Sequence, residues 1–157
     1  MKISATEEYG LRILLRIASA GETGMSIPQL SVAEGLSEPY AGKLTRLLRL
    51  SGFIRSTRGQ KGGYVLAKTP DQIHVNSVLH ALDGRLFDEE FCSMHTGVEK
   101  FCTHSVDCSV KSLWTKVQHS INTLLKDVTL YDLMGHDPET DEAKKFQGFA
   151  VHPGSAF

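Results

Sequence analysis

Residues 53–67 read FIRSTRGQKGGYVLA. Phe53-Ile54-Arg55-Ser56-Thr57 and Tyr64-Val65-Leu66-Ala67 carry the aromatic and β-branched residues of short strands. Between them, Arg58-Gly59-Gln60-Lys61-Gly62-Gly63 places three glycines and two cations in one turn. The stretch reads as a β-hairpin with a positively charged tip. Glycines let such a tip lie close to phosphates, and an arginine there can enter a minor groove. What precedes the hairpin decides whether it is a wing.

Upstream, Ser4-Ala5-Thr6-Glu7 has the form of a capping box. Tyr9, Ile13, Leu14, Ile17 and Ala18 follow at helical spacing as far as Ala20-Gly21. Glu8 has no part in the box and points elsewhere around the first turn. Ser26-Ile27-Pro28-Gln29 repeats the capping signal and opens a short helix to about Glu34, which Gly35 ends. Ser37-Glu38-Pro39-Tyr40 starts a third helix that closes at Ser51-Gly52. Its inward positions are Ala41, Leu44, Leu47 and Leu48; its outward ones are Tyr40, Gly42, Lys43, Arg46 and Arg49. Two short helices joined by a tight glycine turn read as helix-turn-helix. With the cationic hairpin directly behind them, the sum is a winged helix.

Downstream, Thr69-Pro70 interrupts the chain, and Val75, Val78, Leu79 and Leu82 outline a further helix stopped by Asp83-Gly84. Residues 86–108 then hold all three cysteines. Val110, Trp114, Val117, Ile121, Leu124 and Val128 recur at alternating steps of four and three. Paired helices bury such a heptad-like seam. Leu113 and Leu125 widen it, which predicts packing on more than one neighbour. From Gly135 the chain is polar and aperiodic and reads as a flexible tail, with Phe146 and Phe149 as its candidate docking residues. The expected class is mainly α with a small β-hairpin wing, followed by a long C-terminal helix. The expected divisions are a DNA-binding domain at 1–84, a cysteine-rich loop at 85–109, a dimerisation helix at 110–134 and a tail at 135–157.

The net charge of −1 over 157 residues conceals a gradient. Residues 1–68 carry ten Lys/Arg against five Asp/Glu, and residues 69–157 carry seven against thirteen. A basic first half suits a polyanion such as double-stranded DNA, and an acidic second half does not. Tyr40 and Lys43, near the start of the third helix, are the candidates for base edges. Arg46 suits a phosphate, and Arg58, Gln60 and Lys61 on the hairpin complete the DNA-binding set. No window is apolar enough to span a membrane, and MKISATEEYG lacks the apolar run of a secretory signal. A cytoplasmic protein is expected. Neither a nucleophile elbow, a P-loop, a zincin helix nor a dinucleotide fingerprint occurs, so an enzyme is not expected.

Cys92, Cys102 and Cys108 form an odd set in one polar loop, which fits a disulfide framework poorly. Thiolates are soft ligands for zinc or iron–sulfur clusters. Structural zinc sites favour close C-x-x-C pairs, which are absent, whereas wide spacings let a loop encircle a larger cluster. His95, His104, His119 and Glu8 are all available as a fourth ligand, and the residue types alone do not choose among them. A thiol switch and a zinc site stand as alternatives. So does a non-DNA adaptor or cluster carrier that uses its winged helix for protein contacts.

The stretches TEEYGLR, LSEPYAGKLTRLL and STRGQKGGYVL, with the cysteine loop and the terminal VTLYDL, resemble the Rrf2 family of bacterial winged-helix transcription regulators over residues 1 to about 134. The resemblance implies a homodimer with crossed C-terminal helices, the recognition helices and wings lying on two half-sites of an operator. It places Arg58 at the minor groove and Tyr40 and Lys43 at recognition-helix contacts. Gly42 departs from a glutamate that one branch uses for sequence discrimination, so that branch's operator preference does not carry over. The cysteines match the ligands of the family's iron–sulfur clusters, 2Fe–2S or 4Fe–4S, although the first gap is longer than in the best-known members. In one branch a histidine three residues after the last cysteine completes the set; Lys111 stands there. In another branch a carboxylate from the first helix of the partner subunit does so, and Glu8 occupies that position. The implied ligands are therefore Cys92, Cys102, Cys108 and Glu8, with iron, nitric oxide or redox state as the signal.

Overall fold

The computed structural model describes residues 3–57, 62–82 and 108–135. Helix α1, Ala5–Ala20, starts where the sequence places it: Ser4 N donates to the Glu7 carboxylate (2.7 Å) and Glu7 N to Ser4 Oγ (3.2 Å). Helix α2, Ile27–Glu34, opens with the same device, Gln29 Oε1 accepting from Ser26 N at 2.8 Å. Gly35 ends it in the left-handed conformation (φ 65°), which a glycine adopts without steric cost. The Leu36 N–H then closes back on Ser31 O at 2.9 Å. Helix α3, Glu38–Leu50, begins after Ser37, whose Oγ accepts from Tyr40 N.

Strands β1, Ile54–Ser56, and β2, Tyr64–Leu66, pair antiparallel with Arg55 opposite Val65. They are shorter than the expected runs, but the pairing continues beyond them. Ala67 N donates to Phe53 O, and Thr57 N to Gly63 O at 2.9 Å. Gly63 matters sterically: a Cβ there would lie 2.9 Å from the backbone of Met25. That close approach lets Met25 and Tyr64 exchange backbone hydrogen bonds of 3.0 and 2.8 Å, which staples the hairpin base to the segment before α2. The hairpin tip, with Arg58, Gln60 and Lys61, lies outside the described residues.

Helix α4, Val75–Ala81, follows a 3-10 turn at Pro70–Gln72 and ends at Leu82. Leu82 packs against Gly10 so closely that a Cβ on Gly10 would strike its side chain. Ile13, Leu14 and Ile17 of α1, Leu30 of α2, Leu44 and Leu48 of α3, Ile73 and Val78 form one buried core. Fully burying one such side chain contributes about 1.5–3 kcal/mol, so eight of them dominate the domain's apolar driving force.

Helix α5, Ser109–Leu124, corrects the expected single helix over 110–134. It stops at Leu124, and a separate short helix α6, Leu130–Met134, begins behind a Thr129/Asp132 capping box. Val128, read as the last seam position, lies between the two. Its carbonyl accepts from Val75 N (2.9 Å), and Leu130 N donates to Ile73 O (2.8 Å). Those bonds return the chain to the core, where Leu130 is fully buried. None of the residues of α5 is buried: Val110, Leu113, Trp114 and Leu124 are exposed, and Val117 and Ile121 are half-buried. The tail from residue 136, including Phe146 and Phe149, lies outside the described residues, as do Asp83-Gly84.

Candidate nucleic-acid interface and cysteine segment

The core fixes which side of α3 faces outward. Ala41, Leu44, Thr45 and Leu48 are buried, leaving Lys43, Arg46 and Arg49 exposed along the opposite side. Thr45 was not among the expected inward positions; its hydroxyl is satisfied by donating to Ala41 O at 2.7 Å. Leu47, expected inward, is only half-buried. Tyr40 differs from its reading as a fully outward residue. It is half-buried, and its ring meets that of Tyr9 edge to face, with centroids 6.3 Å apart. Gly42 is not demanded by packing, since an added Cβ would meet only Ile27 Cδ1 at 3.7 Å. The outward face of α3 is therefore a cationic strip with a side-chain-free gap beside Lys43.

Arg58, Gln60 and Lys61 cannot be placed against this strip because they lie outside the described residues. The hairpin that carries them is nonetheless closed beneath the tip. Thr57 Oγ1 donates to Gly63 O and accepts from Gly63 N, both at 3.2 Å.

One ion-pair cluster was not anticipated. Glu34, at the end of α2, has a side chain only 2% exposed, and its two oxygens accept from Arg12 Nε (2.7 Å) and Arg16 Nε (2.6 Å). The arginines are about half exposed (48% and 53%), so their charges stay partly hydrated. A buried carboxylate is tolerated where such donors satisfy it. Arg12 also lies 3.7 Å from Glu8 and 5.5 Å above the ring of Tyr9. Glu8, Arg12, Tyr9 and Tyr40 are thus consecutive neighbours between the first turn of α1 and the start of α3. The sequence offered Glu34 only as a helix end; Arg12 and Arg16, one turn apart on α1, were the available hint.

Of the cysteines, Cys92 and Cys102 lie outside the described residues, as do His95 and His104. Cys108 is a half-buried free thiol at the N-cap of α5, and its Sγ accepts from Lys111 N at 3.3 Å. Glu8 is exposed in the first turn of α1 and His119 is exposed on α5. Among the described residues no three or more His, Cys, Asp or Glu side chains come together as a metal site. Among the described residues, Cys108 and Glu8 are both accessible donors. No helix among the described residues is long and apolar enough to cross a membrane.

Comparison with known proteins gives one family match, described as Rrf2, iron-dependent transcriptional regulator, over residues 3–136. The HTH-type transcriptional regulator CymR of Bacillus subtilis is 30% identical over 93% of this chain and 99% of its own. Its solved structure, that of the global cysteine regulator, superposes with a TM-score of 0.65 over 85% of this chain and 96% of that one. Protein rrf2 of Nitratidesulfovibrio vulgaris is 34% identical over 85% of this chain and 87% of its own. The structure of IscR from T. potens, 33% identical, gives a TM-score of 0.65 over 85% of this chain and 86% of that one.

Proposed function

The chain belongs to the Rrf2 family of transcriptional regulators, and on that premise we propose that it is a homodimer whose grip on operator DNA is set by an iron–sulfur cluster held by Cys92, Cys102, Cys108 and Glu8. Binding DNA and regulating transcription are the family's activity, and its named relatives are regulators rather than enzymes. The single observation that carries the DNA-contact assignment is the cationic strip of Lys43, Arg46 and Arg49 on α3, with the hairpin behind it. Lys43 and the exposed part of Tyr40 are assigned to base edges. Arg46 is assigned to phosphate, and Arg58, Gln60 and Lys61 to the groove beside the wing. The protein works in the cytoplasm, beside the chromosome.

The donor chemistry supports the cluster. Three thiolates suit iron, and a carboxylate is a weaker fourth ligand whose exchange is easy. When bound, such a cluster supplies redox and ligand-exchange chemistry that no side chain has. The protein's own part is mechanical. Engaging Glu8 withdraws it from Arg12, which stacks over Tyr9, and Tyr9 packs on Tyr40 at the head of the recognition helix. A signal that engages or frees Glu8 thereby favours one placement of α3 over another. DNA must bind the two placements unequally for this to regulate.

The second copy is assigned to the uncovered stripe on α5, which supports a paired-helix dimer. Anaerobic purification with iron, sulfide and absorbance measurements tests the cluster; a colourless, iron-free protein overturns it. A thiol switch or zinc site is the second reading, favoured by the free, half-buried Cys108 thiol. Mass spectrometry then shows a disulfide on oxidation, or stoichiometric zinc. An adaptor or cluster carrier instead shows no salt-dependent affinity for duplex DNA.

A further inference from the structure

A cleft of about 280 Å³ lies between α1, the end of α2 and α6. Its lining is polar at Arg12, Arg16, Ser19 and Glu34 and apolar at Leu15, Leu133 and Met134. Glu34 is one carboxylate shared by two guanidinium groups, which leaves the lining with one positive charge in surplus. Both bonds to it are made by the Nε atoms. Among the described residues the Arg16 side chain has no other polar partner, and Arg12 adds only the Tyr9 ring and a loose 3.7 Å approach to Glu8. The Ser19 hydroxyl is occupied, donating to Leu15 O at 3.0 Å. The donors left over at the cleft are therefore the terminal guanidinium nitrogens of two half-exposed arginines.

Two features separate this cleft from an ordinary charged surface. Glu34, almost wholly buried, already holds both guanidinium groups in place, so an incoming anion meets ordered donors and little side-chain entropy is left to lose. The same small cleft also presents apolar side chains beside them. A planar carboxylate matches the guanidinium fork, and one surplus positive charge calls for one negative charge. We propose that the cleft binds a small monocarboxylic acid, its carboxylate on the terminal nitrogens of Arg12 and Arg16 and its apolar body on Leu15, Leu133 and Met134. An inorganic anion leaves the apolar lining uncovered, and a folded partner does not fit the volume. Because the lining joins three elements, the bound acid fastens α6 to the first two helices of the winged helix.

The test uses the full-length protein and hexanoate as the probe, with chloride exchanged for hexanoate so that ionic strength stays constant. It involves neither DNA nor the cysteines, so its failure leaves the regulatory reading as it stands. In ¹⁵N NMR titrations, hexanoate is expected to shift the Arg12 and Arg16 Nε–Hε signals and the amides of Leu133 and Met134. The shifts should saturate with a Kd on the order of 1 mM, the range of a small ligand with few polar contacts. Arg16→Gln should weaken binding about tenfold, the scale of one charge-assisted hydrogen bond. Met134→Glu leaves the Glu34 cluster intact, places a competing carboxylate at the cleft and should abolish the shifts. Shifts that never saturate, or equal affinity in Met134→Glu, overturn the proposal. Hexanamide binding as tightly as hexanoate removes the role of the arginines, and sulfate doing so removes that of the apolar lining; either result overturns it as well.

Discussion

In the winged helix, Ile13, Leu14, Ile17, Leu44 and Leu48 are covered completely by their own chain, whereas α5 leaves Val110, Leu113, Trp114 and Leu124 open to solvent. Both regions are amphipathic, with apolar residues at helical spacing. The difference is that α1 and α3 find partners within the chain, and α5, among the described residues, does not. An isolated helix of this length is marginal in water, so α5 needs a surface from elsewhere to be worth its ordering entropy. In the proposed dimer, a second copy would offer the same stripe in reverse.

The contrast is open to attack from its strongest side. Leu44→Ala removes a fully buried side chain and should cost about 2–5 kcal/mol of unfolding free energy in urea titrations. A loss below ~1 kcal/mol would mean the core can collapse around the gap. Trp114→Ala should act differently. Dimerisation should weaken roughly thirtyfold, the effect of deleting an interface anchor worth about 2 kcal/mol. Sedimentation velocity over a concentration series would show it. If the variant stays dimeric and unfolds earlier at all concentrations, α5 packs on its own chain and the contrast fails.

Glu34→Ala probes the ion-pair cluster inside the winged helix. Two charge-assisted bonds are lost, but both arginines regain water, so the expected cost is about 2 kcal/mol in the same titration. Smallest is Ser26→Ala. Losing the cap of α2 should cost about 1 kcal/mol without altering the oligomeric state. An altered sedimentation coefficient in that variant would show that α2 takes part in the dimer.

What the sequence disclosed follows the range of the forces. The capping boxes at Ser4/Glu7 and Ser26/Gln29 and the left-handed Gly35 are local, and each forms where its residues stand. The Arg12–Glu34–Arg16 cluster joins residues 22 and 18 positions apart, and no periodicity announces it. Tyr40 misled because helical spacing says which residues leave the main core, not that Tyr9 waits beside the one that does. Val128 extended the seam by pattern alone, while Thr129-Leu130-Tyr131-Asp132 carried the competing signal of a new helix start. Of the candidate site, the cationic face of α3 was legible. The ligand set rested on cysteine spacing and on a family likeness, since sequence spacing does not report how a loop folds around its ligands.

The backbone bonds between Val75 and Val128 and between Ile73 and Leu130 carry a last consequence. They pin the start of α4 to the start of α6, so the chain that runs on from α4 and through α5 returns to the domain where α4 begins. Closure entropy rises only logarithmically with the length of such an excursion, each doubling costing about 0.6 kcal/mol. A change in the length of the chain between α4 and α5 therefore adds little to the cost of closing it. The excursion is sewn in like a pocket, and its cloth can be recut without unpicking the coat.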